Sequence, residues 1–211
     1  MNLLSDRPKL SIFVLAVLYT VGVIGIGSGI LPDIIFLTPL NLLISLALIL
    51  WNHPKWSSAT VGCLVLAFVV GLSVEVVGVQ TGLIFGEYAY GPVLGWKIWD
   101  TPLMIGVNWT MLVYATGCSI NRVVNWHWTL KALAGAVVMV ALDVLIEPVA
   151  IHYDMWDWGG PVPLQNYIAW FVVSLFLLSV FHYFQARITN KVASYLLIMQ
   201  FLFFWILGLG V

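Results

Sequence analysis

The sequence predicts an all-α integral membrane protein of about seven transmembrane helices. Its N-terminus is expected inside, its C-terminus outside, and two long Gly- and aromatic-rich loops on the outer face. Three observations carry this. Apolar runs of about 18 or more residues recur along the chain, each long enough to cross roughly 30 Å of hydrocarbon. The composition is 62% hydrophobic and only 8% charged, against about 25% charged in soluble domains. Seven of the eight lysines and arginines fall on one face if the spans alternate, which is the asymmetry of a cytoplasmic face.

The spans are expected at residues 9–29, 34–51, 57–79, 101–121, 127–148, 165–186 and 191–210. The first follows the string RPK. No small-residue cleavage site precedes a soluble mature domain, so the segment reads as an uncleaved span rather than a signal peptide. Its Gly25-x-x-x-Gly29 is a close-contact motif. The GIGSG string there is not a phosphate loop, because no strand precedes it. Pro32, Pro54, Pro102 and Pro148 punctuate span ends, where a missing N–H is tolerated. The third span carries Glu75 near its outer end, and the fourth carries Asn108 and Trp109 about two turns deep. The fifth holds Asp143 and Glu147 in its last turns, Asn166 opens the sixth, and the seventh closes the chain.

Arg7, Lys9, Lys55, Arg122, Lys131, Arg187 and Lys191 mark the inner face, and Lys97 alone marks the outer one. Asp33, Glu87, Asp100, Asp154 and Asp157 share that outer face with the long connections 80–100 and 149–164. No polar stretch is long enough for a soluble domain, so residues 1–211 are read as one transmembrane domain in the cell membrane. The net charge of −1 offers nothing to nucleic acid. Cys63 and Cys118 lie near the inner face in different helices and read as small packing residues, not a disulfide.

Within this hydrocarbon the acids stand out. An ionised carboxylate at the centre of a membrane helix costs roughly 2.5–3.5 kcal/mol on insertion scales, so such residues default to function. Asp143 and Glu147 are spaced i, i+4 and share a helical face. Glu75, Asn108, Asn166 and these two acids are all expected within roughly 10 Å of the outer boundary. Plainer readings exist. Glu147 could reach interfacial water, Glu75 could pair with Asn108 as packing glue, and Glu87 could be a solvated loop residue. The order of candidates is Asp143, Glu147, Glu75, then Glu87. The two outer loops read either as an aromatic belt, which accounts for Trp96, Trp99 and Trp158, or as re-entrant segments roofing a cavity.

His53, His127, His152 and His182 show no H-x-x-x-H or H-x-x-H-H clustering, and zinc spacing is missing. The seventh span contains no lysine, so a retinal Schiff base is excluded there. No nucleotide or flavin fingerprint occurs. What remains is chemistry by carboxylates, amides and aromatic rings, with no metal and no cofactor.

Two strings resemble a known family. TGLIFGEYAYGPVLGWKIWDTPLMIGVNWTM (81–111) carries Gly86, Tyr88, Tyr90, Leu94, Gly95, Pro102 and Trp109. ALDVLIEPVAIHYDMWDWGGPVPLQNYIAWF (141–171) carries Asp143, Glu147-Pro148, Trp156, Trp158, Pro163, Asn166-Tyr167 and Trp170-Phe171. Both resemble signatures of the membrane carotenoid-biosynthesis family that includes gamma-carotene 1'-hydratases and bisanhydrobacterioruberin hydratases. The first two spans are generic. Ala169 stands where a glycine is expected, and the segment from Trp158 to Pro163 is short, which bears on substrate shape more than on reaction type.

The resemblance implies a hydratase that adds water to the terminal C1=C2 bond of an acyclic or monocyclic carotenoid. Asp143, Glu147, Glu75 and Glu87 would be its acids. Tyr88, Tyr90, Asn108, Trp109, Trp156, Asn166, Tyr167 and Trp170 would bind the substrate. Protonation would give a tertiary cation, stabilised by aromatic faces and a second carboxylate and captured by water. A lycopene-type cyclase, which captures the same cation with an internal double bond, is the alternative. A non-catalytic carotenoid-binding or proton-coupled protein is the other; transporters usually show internal repeats, and none is evident here.

Overall fold

The computed structural model describes residues 6–185 and 187–211. Residues 1–5, the start of the expected domain, and residue 186, the expected end of the sixth span, lie outside the described residues. Seven helices among the described residues are long and apolar enough to cross a membrane. They are α1 (Arg7–Gly27), α2 (Thr38–Trp51), α3 (Ser58–Thr81), α4 (Leu103–Val123), α5 (Trp128–His152), α6 (Leu164–Gln185) and α7 (Lys191–Gly208). The protein is therefore a multi-pass membrane protein.

Local chemistry sets the helix ends. Asp6 caps α1 by accepting from the Lys9 N–H at 3.3 Å, and Ser57 caps α3 by accepting from the Thr60 N–H at 3.1 Å. Asn190 caps α7 through the N–H groups of Val192 and Ala193. Each side chain satisfies donors that a helix start leaves orphaned. Gly82 ends α3 in the left-handed region at φ 67°, its N–H bonded to the Gly78 carbonyl at 2.8 Å.

The second span divides into a 3-10 helix over Pro32–Leu37 and then α2, with a proline near the start of each piece. α5 runs through Pro148 for one further turn to His152 rather than ending there. One proline removes a single i→i−4 bond, here to the Val144 carbonyl, which the last turns of a helix tolerate.

α4 is the axis of the bundle. It has the lowest mean hydropathy of the seven, 1.4, and the largest buried share, 72%. Wrapped by α2, α3, α5, α6 and α7, it need not be apolar all round to sit in a bilayer. Close approach to α4 comes from glycines. A Cβ at Gly71 of α3 would strike the Trp109 indole, and one at Gly106 would lie 2.8 Å from the Phe68 ring. The expected Gly25–Gly29 motif holds only in part. Gly25 packs on Ile34, whereas Gly29 lies past the helix end at φ 66° with nothing near it. It is a turn residue, not a helix contact.

Side-chain bonds mark the two ends of the bundle. At one end His53 Nδ1 lies 2.7 Å from the Tyr114 hydroxyl, Asn190 donates to that hydroxyl at 3.1 Å, and buried Lys131 donates to Asn121 at 2.9 Å. At the other end the two long connections join. β1 (Ala89–Tyr90) pairs antiparallel with β4 (Trp156–Asp157), with Tyr90 opposite Trp156. β2 (Lys97–Ile98) and β3 (Thr101–Pro102) form a separate tight hairpin leading into α4. The two cysteines are free.

Candidate active site

The paired connections cap a chamber between α3, α4, α5 and α6. In the extended segments, alternate residues point to one side. Tyr88 and Tyr90 therefore point the same way, as do Trp156 and Trp158. Each pair closes on one acid. The Tyr88 and Tyr90 hydroxyls donate to Glu75 Oε2 at 2.6 and 2.7 Å. The Trp156 and Trp158 indoles both donate to Glu147 Oε2 at 2.9 Å. A Y-x-Y clamp thus holds Glu75 and a W-x-W clamp holds Glu147. The β1–β4 pairing holds the clamps together, with the Tyr90 and Trp156 rings edge-on at 5.9 Å and Tyr88 against Trp158 at 4.7 Å. Burial, and then the charge of Glu75, push both phenols above the ordinary tyrosine range, so they remain O–H donors.

The remaining bonds come from the helices. Trp109 of α4 donates its indole N–H to Glu75 Oε1 at 3.1 Å, and its ring stacks on Trp170 of α6 at 4.4 Å. Asn166 lies at the start of α6. Its amide donates to Asp143 Oδ2 at 2.9 Å and to Glu147 Oε1 at 3.2 Å. Glu75 and Glu147 thus each accept three hydrogen bonds, and Asp143 accepts one. Asp143 is 0% exposed, and its Oδ1 is a buried oxygen without a hydrogen-bond partner among the described residues.

About 30 Å³ of the chamber is open to the centre of a water molecule, room for one or two waters. Among the described residues, no lysine or arginine lines it.

Most of the residues expected from sequence meet here. Asp143, Glu147, Glu75, Tyr88, Tyr90, Asn108, Trp109, Trp156, Asn166 and Trp170 all line the chamber. Two do not. Glu87 is exposed on the first connection and points away from the cavity, because the alternation that turns Tyr88 and Tyr90 inward leaves its side chain beside Gly82. Tyr167 is one residue, about 100° of helix, from Asn166. It lines a shallow groove on the outside of α5 and α6 instead.

Glu75 does pair with α4, but through Trp109 and not Asn108. The Asn108 amide makes no side-chain hydrogen bond among the described residues and borders both this chamber and a neighbouring one. The belt reading fits Trp96 and Trp99, which are 88% and 72% exposed. It fails for Trp158, which belongs to the roof. Phe85, Ile105 and Ile146 also line the chamber, and the sequence carries no periodic signal that singles them out.

Comparison with known proteins gives the family. A family model described as "Carotenoid biosynthesis protein" matches residues 36–211, reaching from the second span to the end. A bisanhydrobacterioruberin hydratase from Haloarcula japonica is 27% identical over 159 residues, covering 68% of this chain and 54% of the relative. The chain therefore spans about half the length of that curated relative. No solved structure gives a significant match. With a family model covering most of its length, and the two signature strings forming its roof and carboxylate chamber, the chain belongs to the carotenoid biosynthesis protein family.

Proposed function

We propose that the protein is a carotenoid hydratase, adding water to the terminal C1=C2 bond of an acyclic carotenoid end without a cofactor. The observation that carries the reading is the inequality among three buried acids around one small chamber. Three full negative charges in an apolar site with no cation are costly, so at least one acid holds a proton. Glu75 and Glu147 each accept three donors and are the acids best suited to stay ionised. Asp143 accepts one, and its free Oδ1 is where a proton can face the substrate.

The reaction then balances. Asp143 gives its proton to C2, the carbon of the pair that bears hydrogen, and the pair's electrons form the new C–H bond. The tertiary cation left at C1 is stabilised by the two carboxylate charges and by the π faces of the surrounding indoles and phenols. Asn108, with its amide unpaired, orients a water that attacks C1. The proton which that water loses returns to the Asp143 carboxylate, leaving a tertiary alcohol and the enzyme unchanged. The hydratase name of the Haloarcula relative supports this reading.

The whole chain, 1–211, acts as one catalytic unit in the cell membrane. Its N-terminus is cytoplasmic, and the roofed chamber lies in the outer leaflet. A cyclase would use the same cation without water. Expression in a lycopene-producing cell separates the two. A pigment heavier by one water supports hydration. An isomer of unchanged mass with a shifted spectrum means cyclisation, and unaltered lycopene bound to the protein means a carrier.

A further inference from the structure

Two further cavities continue the carboxylate chamber. The middle one shares Ile105, Asn108, Ile146 and Trp156 with it, and is otherwise bounded by α1, α2, α7 and by Leu94 and Met155 of the two connections. The outer one shares Thr38, Asn41 and Phe203 with the middle one. It opens between α1 and α2, where Val21, Leu37 and Leu40 are exposed on the membrane-facing side. α1 packs along α7 and touches α2 little, so a gap stays open there. The space open to the centre of a water molecule is about 120 Å³ at the mouth, about 70 Å³ in the middle cavity and about 30 Å³ at the acids. The walls suit hydrocarbon. Tyr19 and Gln200, the buried polar pair of the middle cavity, bond to each other at 2.8 Å.

We infer that these cavities form one tunnel, through which a linear polyene end slides from the bilayer between α1 and α2 to the acids. The inference rests on the hydratase reading for the identity of its occupant. The inner end of the tunnel is closed by the roof of Tyr88, Tyr90, Trp156 and Trp158, so the chain end, not its middle, reaches Asp143. Water and polyene meet at Asn108, which borders both inner cavities. The far half of the substrate remains in the lipid, and one end reacts per visit. The small inner chamber favours a slender acyclic end over a ring. Apolar pockets with few polar groups suit such a ligand.

The test plugs the tunnel in protein purified from lycopene-producing cells. Asn41→Phe fills the wall shared by the two outer cavities and gives up a marginal bond from Ser45 at 3.5 Å and a polar contact with Tyr19. Ile44→Trp obstructs the mouth. Val137→Trp, on the exposed face of α5 beside the shallow α5–α6 groove, is the control. Co-purified pigment per protein and initial rate of hydrated product are read together. Asn41→Phe and Ile44→Trp should lower both by about tenfold or more, the equivalent of one lost decade of affinity. Val137→Trp should change neither beyond about twofold, the spread of a neutral surface change. If Asn41→Phe does not accumulate as folded protein, Ile44→Trp decides. Plugged variants with wild-type pigment and rate overturn the tunnel while hydration stands. The same holds if Val137→Trp alone blocks, which moves the passage to α5–α6. Wild-type protein that carries pigment but makes no alcohol overturns hydration, and loss of that pigment in the plugged variants still supports the tunnel.

Discussion

Asp143→Asn separates chemistry from architecture with unusual clarity at this position. Among the described residues Asp143 makes one hydrogen bond, accepting from Asn166 at 2.9 Å, and its other oxygen has no partner. An asparagine keeps an oxygen for Asn166 and turns its amide toward the unpaired position. No existing hydrogen bond is lost and no volume changes, so stability should move by less than about 1 kcal/mol, the net worth of a single bond. The transferable proton is gone, however. General acid–base catalysis contributes about 10²–10⁴-fold, or roughly 3–5 kcal/mol of barrier at 1.36 kcal/mol per decade. The assay is turnover of lycopene in lipid nanodiscs beside the thermal midpoint of the same preparation. The expected result is a loss of two decades or more in kcat at an unchanged midpoint. Near-normal turnover would refute the role of Asp143 as proton donor. An unfolded variant would refute the claim that this side chain is not needed for packing.

Other expectations follow from the same geometry. Glu147→Gln keeps one oxygen for the indoles of Trp156 and Trp158 but removes the charge and the oxygen that accepts from Asn166 at 3.2 Å. Turnover should fall by about two decades or more, the 2.7–4 kcal/mol scale of lost electrostatic stabilisation, with folded protein retained; normal kcat in the same nanodisc assay would count against it. Gly91→Ala pushes a Cβ into the Asp154 carbonyl beside the bond from the Gly91 N–H to Met155. Overpacking of this kind costs about 1–3 kcal/mol, so the roof should part and activity fall while far-ultraviolet circular dichroism keeps its helical signal. A reporter fused after Val211 should be active only on the outer side, as the lysine and arginine asymmetry requires; cytoplasmic activity would reverse the topology.

The spans were legible because membrane-length apolar runs need no tertiary information. The acids were legible because hydrocarbon makes every carboxylate conspicuous. Helical phase was harder to read. Asn108 and Trp109 differ by about 100° around α4, as do Asn166 and Tyr167 around α6, and depth alone does not say which member of each pair turns inward. Asn166 and Trp109 hold the acids, Asn108 stays unpaired among the described residues at the chamber's edge, and Tyr167 faces outward. The roof depended on a contact between residues far apart in sequence. Y-x-Y and W-x-W could be seen as aromatic strings, but their donors meet acids on two different helices only because β1 pairs with β4. Gly29 misled for a related reason. A five-residue glycine pattern says nothing of whether its second member is still helical.

In a hydratase a water molecule, not an internal double bond, captures the cation, and dioxygen takes no part. The most direct measurement runs the purified protein on lycopene in oxygen-18 water under anaerobic conditions and takes the mass of the product. The expected product is an alcohol carrying one heavy oxygen, formed at the aerobic rate. A product without heavy oxygen, an isomer of unchanged mass, or a reaction that stops when oxygen is removed would contradict hydration.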